Sequence, residues 1–175
     1  MNIENYSQSL KDYAKDIRLN LGSVLTPEGA PGLNQNQIYG IALSCALHTG
    51  NHELIAASKA DAVTTLSDAE VNAAKIATTL MAMNNVYYRS IHLAEHEELS
   101  KLPAKLRMNG IAQPGIPKLD FELYCLAVSA IAGCGMCIKS HVHQAQKAGV
   151  TVEGIQSSLR IASVIQAAST ARYID

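Results

Sequence analysis

Ser67-Asp-Ala-Glu-Val-Asn-Ala-Ala-Lys-Ile-Ala-Thr-Thr-Leu-Met-Ala-Met-Asn-Asn-Val-Tyr-Tyr-Arg-Ser-Ile-His-Leu93 is the stretch that settles the fold class. It opens with Ser67-x-x-Glu70, the capping-box spacing in which a hydroxyl and a carboxylate each take up a free backbone N–H. Ala is frequent after it, and neither Pro nor Gly interrupts, so one long helix is expected to run to about Leu93. Working outward, Tyr6, Leu10, Tyr13, Ile17 and Leu21 step by four, three, four and four, the stripe of an amphipathic helix. Residues 36–47 and 52–63 read as two further helices. Asp120 is the expected N-cap of a helix over 121–132, with Gly133 as its break. Another helix should start near Cys134 and stop at Gly149. The last starts about Thr151 and carries Ile155, Leu159 and Ala162 on one face. No stretch alternates as a strand would, and the Pro/Gly clusters at 26–32 and 113–117 read as loops. The expected fold is all-α.

The 175 residues suit a single domain spanning the whole chain. Hydrophobic residues make up 48% and charged ones 17%, which excludes a disordered chain. With 14 Lys+Arg against 15 Asp+Glu, neither sign is in surplus to neutralise phosphate, so neither nucleic acid nor anionic lipid is expected as a partner. There is no Trp and a single Phe to stack on bases. The first residues lack a basic and then apolar signal pattern, and charged residues break every candidate membrane span, so the expected location is the cytoplasm. Four cysteines in such a compartment are reactive, metal-binding or buried rather than structural disulfides. The two halves also echo each other. An 85-residue shift lays Tyr39 on Tyr124, Ser44 on Ser129, Ile76 on Ile161 and Tyr88 on Tyr173, which suggests an internal repeat over about 39–88 and 124–173.

Chemistry concentrates in Cys134-Gly-Met-Cys137-Ile-Lys-Ser-His141. On a helix these three side chains share a face, with the imidazole within reach of the second sulfur. Gly133 sets Cys134 at a helix N-terminus, where free N–H groups favour a thiolate. A zinc site is the rival reading, but the fourth ligand is awkward, because His143 points away from His141 around the helix. A thioredoxin-like domain would need a strand before the motif, and none precedes it. Cys45 and Cys125 lie among apolar residues and read as buried thiols. Glu122 reads first as a first-turn carboxylate that complements the helix dipole. A role beside the dithiol would require a chain reversal near Gly133, because twelve residues of unbroken helix span about 18 Å. His48 and His52 straddle a turn, His92 and His96 lie on a solvated face, Lys101 and Lys105 are surface charges, and Met81, Met83, Tyr87 and Tyr88 read as core.

On these residues the chain resembles the AhpD alkyl hydroperoxide reductase family of C-x-x-C peroxidases, within the larger carboxymuconolactone-decarboxylase-like group. Family-like segments cover almost the whole chain: Tyr13-Ala-Lys-Asp-Ile-Arg-Leu-Asn-Leu21, Met83-Asn-Asn-Val-Tyr-Tyr-Arg89, Leu106 through Lys118, Phe121-Glu-Leu-Tyr124 and Ala127-Val-Ser-Ala-Ile131. The pattern E-x11-C-x-x-C-x-x-x-H is met by Glu122, Cys134, Cys137 and His141. The resemblance implies an all-helical subunit with two similar halves, assembled as a homotrimer. It implies reduction of organic hydroperoxides and hydrogen peroxide, alongside the peroxiredoxin AhpC. Electrons would come from dihydrolipoyl groups on a 2-oxoacid dehydrogenase subunit, with no bound cofactor and no metal. By position, Cys137 would be the peroxidatic thiol that becomes a sulfenic acid. Cys134 would donate a proton and close the Cys134–Cys137 disulfide, and Glu122 and His141 would relay protons. Met136 departs from the family, which has a His between the cysteines. Two other functions stay open on this sequence: a disulfide carrier that never attacks peroxide, and a cofactor-free decarboxylase-like relative in which the cysteines are dispensable.

Overall fold

The computed structural model describes residues 1–174, and these are all-α: ten α-helices and one 3-10 turn. The stretch that opened the sequence reading is helix α5, Asp68–Leu93, and its capping box is formed. The Glu70 N–H donates to the Ser67 hydroxyl at 3.3 Å, and the Ser67 N–H donates to Glu70 Oε2 at 2.7 Å. Four α-helices precede α5: α1, Ile3–Gln8, α2, Lys15–Val24, α3, Gln35–Thr49, and α4, His52–Thr65. After it come the short α6, Glu97–Lys101, and α7, Asn109–Ala112. The chain ends with α8, Lys118–Ala132, α9, Gly135–Lys147, and α10, Val152–Arg172.

The centre of the molecule is α3 beside α8. Each is buried along most of its length, Gly40 to Ala46 in one and Phe121 to Ser129 in the other. Helices buried all round need apolar residues all round, and both have them. The pair approaches closely where Tyr124 lies on Gly40. A Cβ built on Gly40 would stand 2.0 Å from the Tyr124 hydroxyl oxygen. At the surface the Gln37 amide donates to Asp120 Oδ1 at 2.7 Å, tying the start of α3 to α8. α4, α5, α9 and α10 pack around this pair.

The N-terminal stripe is not one helix. It breaks into α1, Ile3–Gln8, a 3-10 turn at Asp12–Ala14, and α2. Periodicity survives the break because both arms lie on the same body: Tyr6, Leu10 and Leu21 are buried, and Tyr6 donates to the Ala168 carbonyl of α10 at 3.0 Å. Tyr13 is exposed instead, its hydroxyl on the Ala171 carbonyl at 2.7 Å. The Leu10 carbonyl, freed from helical bonding, accepts from the Arg18 guanidinium at 2.8 Å. Helix α8 also starts earlier than the sequence suggests. Pro117 precedes its first turn and Asp120 sits inside that turn, because Pro is tolerated where no N–H is needed.

The order α3–α4–α5 recurs as α8–α9–α10. Gly50 and Gly133 both end their helix in the left-handed region, φ 73° and 67°, and the next residue caps the following helix with its side chain. These landmarks stand 83 residues apart. At that offset Asn51 faces Cys134, and the Asn51 carboxamide oxygen takes the Leu54 N–H just as the Cys134 sulfur takes that of Cys137.

Candidate active site

The corner between α8 and α9 is built by a left-handed glycine. With Gly133 at φ 67°, the Cys134 N–H reaches the Ser129 carbonyl at 3.2 Å and the Gly133 N–H reaches that of Ala130 at 3.1 Å. That pair of bonds is the Schellman ending. Arg89 of α5 donates to the Ala132 carbonyl, and the Ser129 hydroxyl donates to Asn85 Oδ1 of α5 at 3.0 Å. The reversal is therefore braced from both sides, and α9 runs back along α8.

Cys134 is the N-cap of α9, and its sulfur accepts the Cys137 N–H at 3.3 Å. Cys137 lies in the first turn, at the positive end of the helix dipole. The two are joined as a disulfide with Cα atoms 5.3 Å apart. Cys134 is sealed from solvent, whereas Cys137 is 7% exposed and lines a cleft of about 390 Å³. Glu122 and His141 line the same cleft.

The reversal brings Glu122 to His141. Glu122 Oε2 and His141 Nδ1 are 2.7 Å apart and both side chains are buried. Glu122 is not a surface residue serving the dipole: it is 3% exposed and sits in the second turn of α8. A carboxylate only accepts, so when ionised it holds the proton on Nδ1 and leaves Nε2 as the working nitrogen. Nε2 lies 3.2 Å from the Met81 sulfur of α5. Among the described residues, His141 hydrogen-bonds to neither cysteine sulfur in this disulfide form, although it lines the same cleft as Cys137. Spacing along one helix ignores α5, whose Met81 occupies the space in front of the imidazole.

The remaining cysteines stand apart. Burial pushes the Cys45 thiol up, and burial together with the Glu122 charge pushes Cys125 well up, so both stay protonated and inert. His143 is exposed, as its position around α9 predicts. His96 caps α6, its Nδ1 accepting the Leu99 N–H at 3.2 Å, and Lys101 pairs with Glu97 one turn away. Burial lowers the pKa of His48. Tyr87 and Tyr88 are not core. They stand edge to face, 5.2 Å between ring centres, on the wall of a second cleft of about 530 Å³ that also touches Met136.

Sequence reasoning missed Met81 and Asn84 as parts of the site. Met81, Asn84 and Tyr88 follow one another at three and four residues, one face of α5, and all line the Cys137 cleft. That spacing was available, but which element the face would meet was not.

Residues 97–174 match the Carboxymuconolactone decarboxylase family. Over nearly the whole chain it is similar to curated proteins named alkyl hydroperoxide reductase AhpD. It is 48% identical to that of Rhizorhabdus wittichii over 170 residues, covering 97% of this chain and 96% of the relative. Identity is also 48% to that of Methylocella silvestris over 171 residues, covering 98% and 94%. With the Brucella abortus protein it is 45% over 171 residues, covering 98% and 96%. Two cysteines at a helix head, opening by one sulfur onto a cleft with a buried carboxylate–imidazole pair, accompany likeness of this extent: the chain belongs to the AhpD family of alkyl hydroperoxide reductases.

Proposed function

We propose that the protein is a thiol peroxidase that reduces organic hydroperoxides, and hydrogen peroxide, through the Cys134/Cys137 dithiol. The observation that carries this is the asymmetry of the pair: Cys137 opens onto the cleft and Cys134 is sealed behind it. In the reduced protein the Cys137 thiolate attacks the distal peroxide oxygen. An S–O bond forms, the O–O bond breaks, and the alcohol leaves with one proton, giving a sulfenic acid. The Cys134 sulfur then displaces water from it, and the disulfide closes. Dithiol and peroxide thus become disulfide, alcohol and water. His141, oriented by Glu122, supplies and collects the protons.

A dihydrolipoyl group reopens the disulfide. Its second thiol completes the exchange within one molecule, which favours a dithiol over a monothiol reductant. In this reading the lipoyl group belongs to a 2-oxoacid dehydrogenase subunit, the protein serves the peroxiredoxin AhpC, and it works as a homotrimer in the cytoplasm without a bound cofactor. These partners and the assembly rest on the family resemblance.

A disulfide carrier is the second reading, favoured by the near-complete burial of both sulfurs and by the Met81 sulfur in front of His141. Stopped-flow mixing of the fully reduced protein with cumene hydroperoxide separates the two. We expect thiol loss that is first order in peroxide, and dimedone trapping at Cys137 in Cys134→Ser. An inert dithiol leaves the carrier, and modification confined to Cys134 reverses the two roles.

A further inference from the structure

Asn84 of α5 is used by neither the disulfide nor the Glu122–His141 pair. It is 5% exposed and lines the Cys137 cleft. Its Oδ1 is sealed from solvent without a hydrogen-bond partner, and among the described residues the amide nitrogen makes no hydrogen bond either. Its neighbour Asn85 lies outside the cleft: its Oδ1 takes the Ser129 hydroxyl and helps to join α5 to α8, while its Nδ2 is buried without a partner. A buried amide left unpaired lowers stability, so its place in a cleft wall calls for a partner that arrives from outside. The cleft mixes apolar Met81, Tyr88, Met108 and Ile111 with polar Lys118, Ser140 and Gln144.

We propose that Asn84 contacts the substrate, its amide hydrogen-bonding the O–O–H group of an organic hydroperoxide while Tyr88, Met108 and Ile111 hold the alkyl body. The proposal rests on the peroxidase reading above. A primary amide presents donors and an acceptor side by side, whichever way round it sits, and a hydroperoxide presents one donor and two adjacent acceptor oxygens. The amide nitrogen, the end of Asn84 that is not sealed, donates to the hydroperoxide and holds the O–O bond in a fixed direction before the Cys137 sulfur. When that sulfur gives its electron pair to the distal oxygen, the electrons of the O–O bond pass to the proximal oxygen. That oxygen leaves as an alkoxide and takes a proton to become the alcohol. An amide N–H on the proximal oxygen strengthens as its charge grows, so it favours the transition state over bound peroxide. The distal oxygen keeps its hydrogen as the sulfenic acid.

The two half-reactions separate this role from a structural one. Reduced wild type, Asn84→Ala and Asn84→Leu are mixed with cumene hydroperoxide, and the oxidised forms are separately reduced with dithiothreitol. Both variants should lose at least about tenfold in the peroxide half-reaction, the scale of one lost transition-state hydrogen bond. Their reduction by dithiothreitol should stay within about twofold of wild type, since no hydrogen bond of Asn84 is lost there. Asn84→Leu, nearly the same shape without the unpaired amide, should melt at or above the wild-type temperature. Variants oxidised by peroxide at the wild-type rate overturn the proposal. So does an equal loss in both half-reactions with a lowered melting temperature, which makes Asn84 structural. A wild type inert to peroxide defeats the peroxidase reading itself, and this inference with it.

Discussion

Between the two cysteines stands Met136, 43% exposed and lining both the Cys137 cleft and its neighbour. A thioether is a weak acceptor and no donor, so it cannot pass a proton. The Glu122–His141 pair, 2.7 Å apart and buried, is left with that task. Positioned acid–base groups contribute about 10² to 10⁴ in rate, and bridging water recovers part of that. We therefore expect His141→Ala to slow peroxide turnover at least about tenfold. Met136→Ala should be nearly silent, and Met136→His neutral or activating. Turnover of the three variants across pH checks this, and a Met136→Ala as slow as His141→Ala would make packing by Met136 the decisive factor. His141→Ala also strands the Glu122 carboxylate in a buried position, which destabilises the fold. The double variant with Glu122→Gln should regain stability in urea unfolding without regaining rate, because the charge is removed but the imidazole is still missing.

At the scale of elements, the corner from α8 to α9 makes the site. Its one conformational demand is the left-handed φ of Gly133, 67°, where a Cβ is disfavoured by roughly 1–2 kcal/mol. Space is not the obstacle, since the nearest atom to a built Cβ is Arg89 Nη1 at 4.0 Å. Substitutions should therefore rank by backbone preference alone: Asn tolerated best, Ala next and Val worst. Urea midpoints at constant slope test the order. The thiol oxidation rate should fall in the same order, because the same turn sets Cys134 on the Ser129 carbonyl. An Ala variant as stable as wild type would mean that the corner relaxes to a right-handed turn. Gly50 plays the same part for α3 and α4, but there Asn51 caps and Leu54 follows, so the second corner carries no dithiol.

At the scale of the molecule, α3 and α8 hold the two triplets together, and their separation is set where Tyr124 meets Gly40. Tyr124 is fully buried, and burial pushes its phenol pKa up, so the ring stays neutral. A methyl at position 40 would fall 2.0 to 2.5 Å from three Tyr124 atoms, the hydroxyl oxygen and two ring carbons. Because these atoms belong to a packed ring, the helices themselves must part. Overpacking of this kind costs about 1–3 kcal/mol or more. Gly40→Ala should lower the unfolding free energy measured in urea by that amount, and Gly40→Ala with Tyr124→Leu should recover part of it. A Gly40→Ala protein unchanged in stability would show that the α3–α8 spacing is set elsewhere.

Much of this was legible in residues close together in the chain. The Ser67–Glu70 box, the Thr151 cap, the Gly133 break and the placing of Cys134 and Cys137 at a helix head all rest on hydrogen bonds that close within three to five residues. A sequence carries such signals directly. The family pattern E-x11-C-x-x-C-x-x-x-H likewise pointed to Glu122, Cys134, Cys137 and His141 before any geometry was known. What required the folded molecule was every relation between elements. Periodicity in Tyr6 to Leu21 could not reveal the break after α1, because two short helices on one body bury the same stripe as one long helix. The meeting of Glu122 with His141 depended on how sharply the chain turns at Gly133. The entry of Met81 and Asn84 depended on which helix the free face of α9 would find. Local capping is decided by a few bonds of fixed geometry, whereas the packing of distant helices is decided by the shape and volume of the whole core.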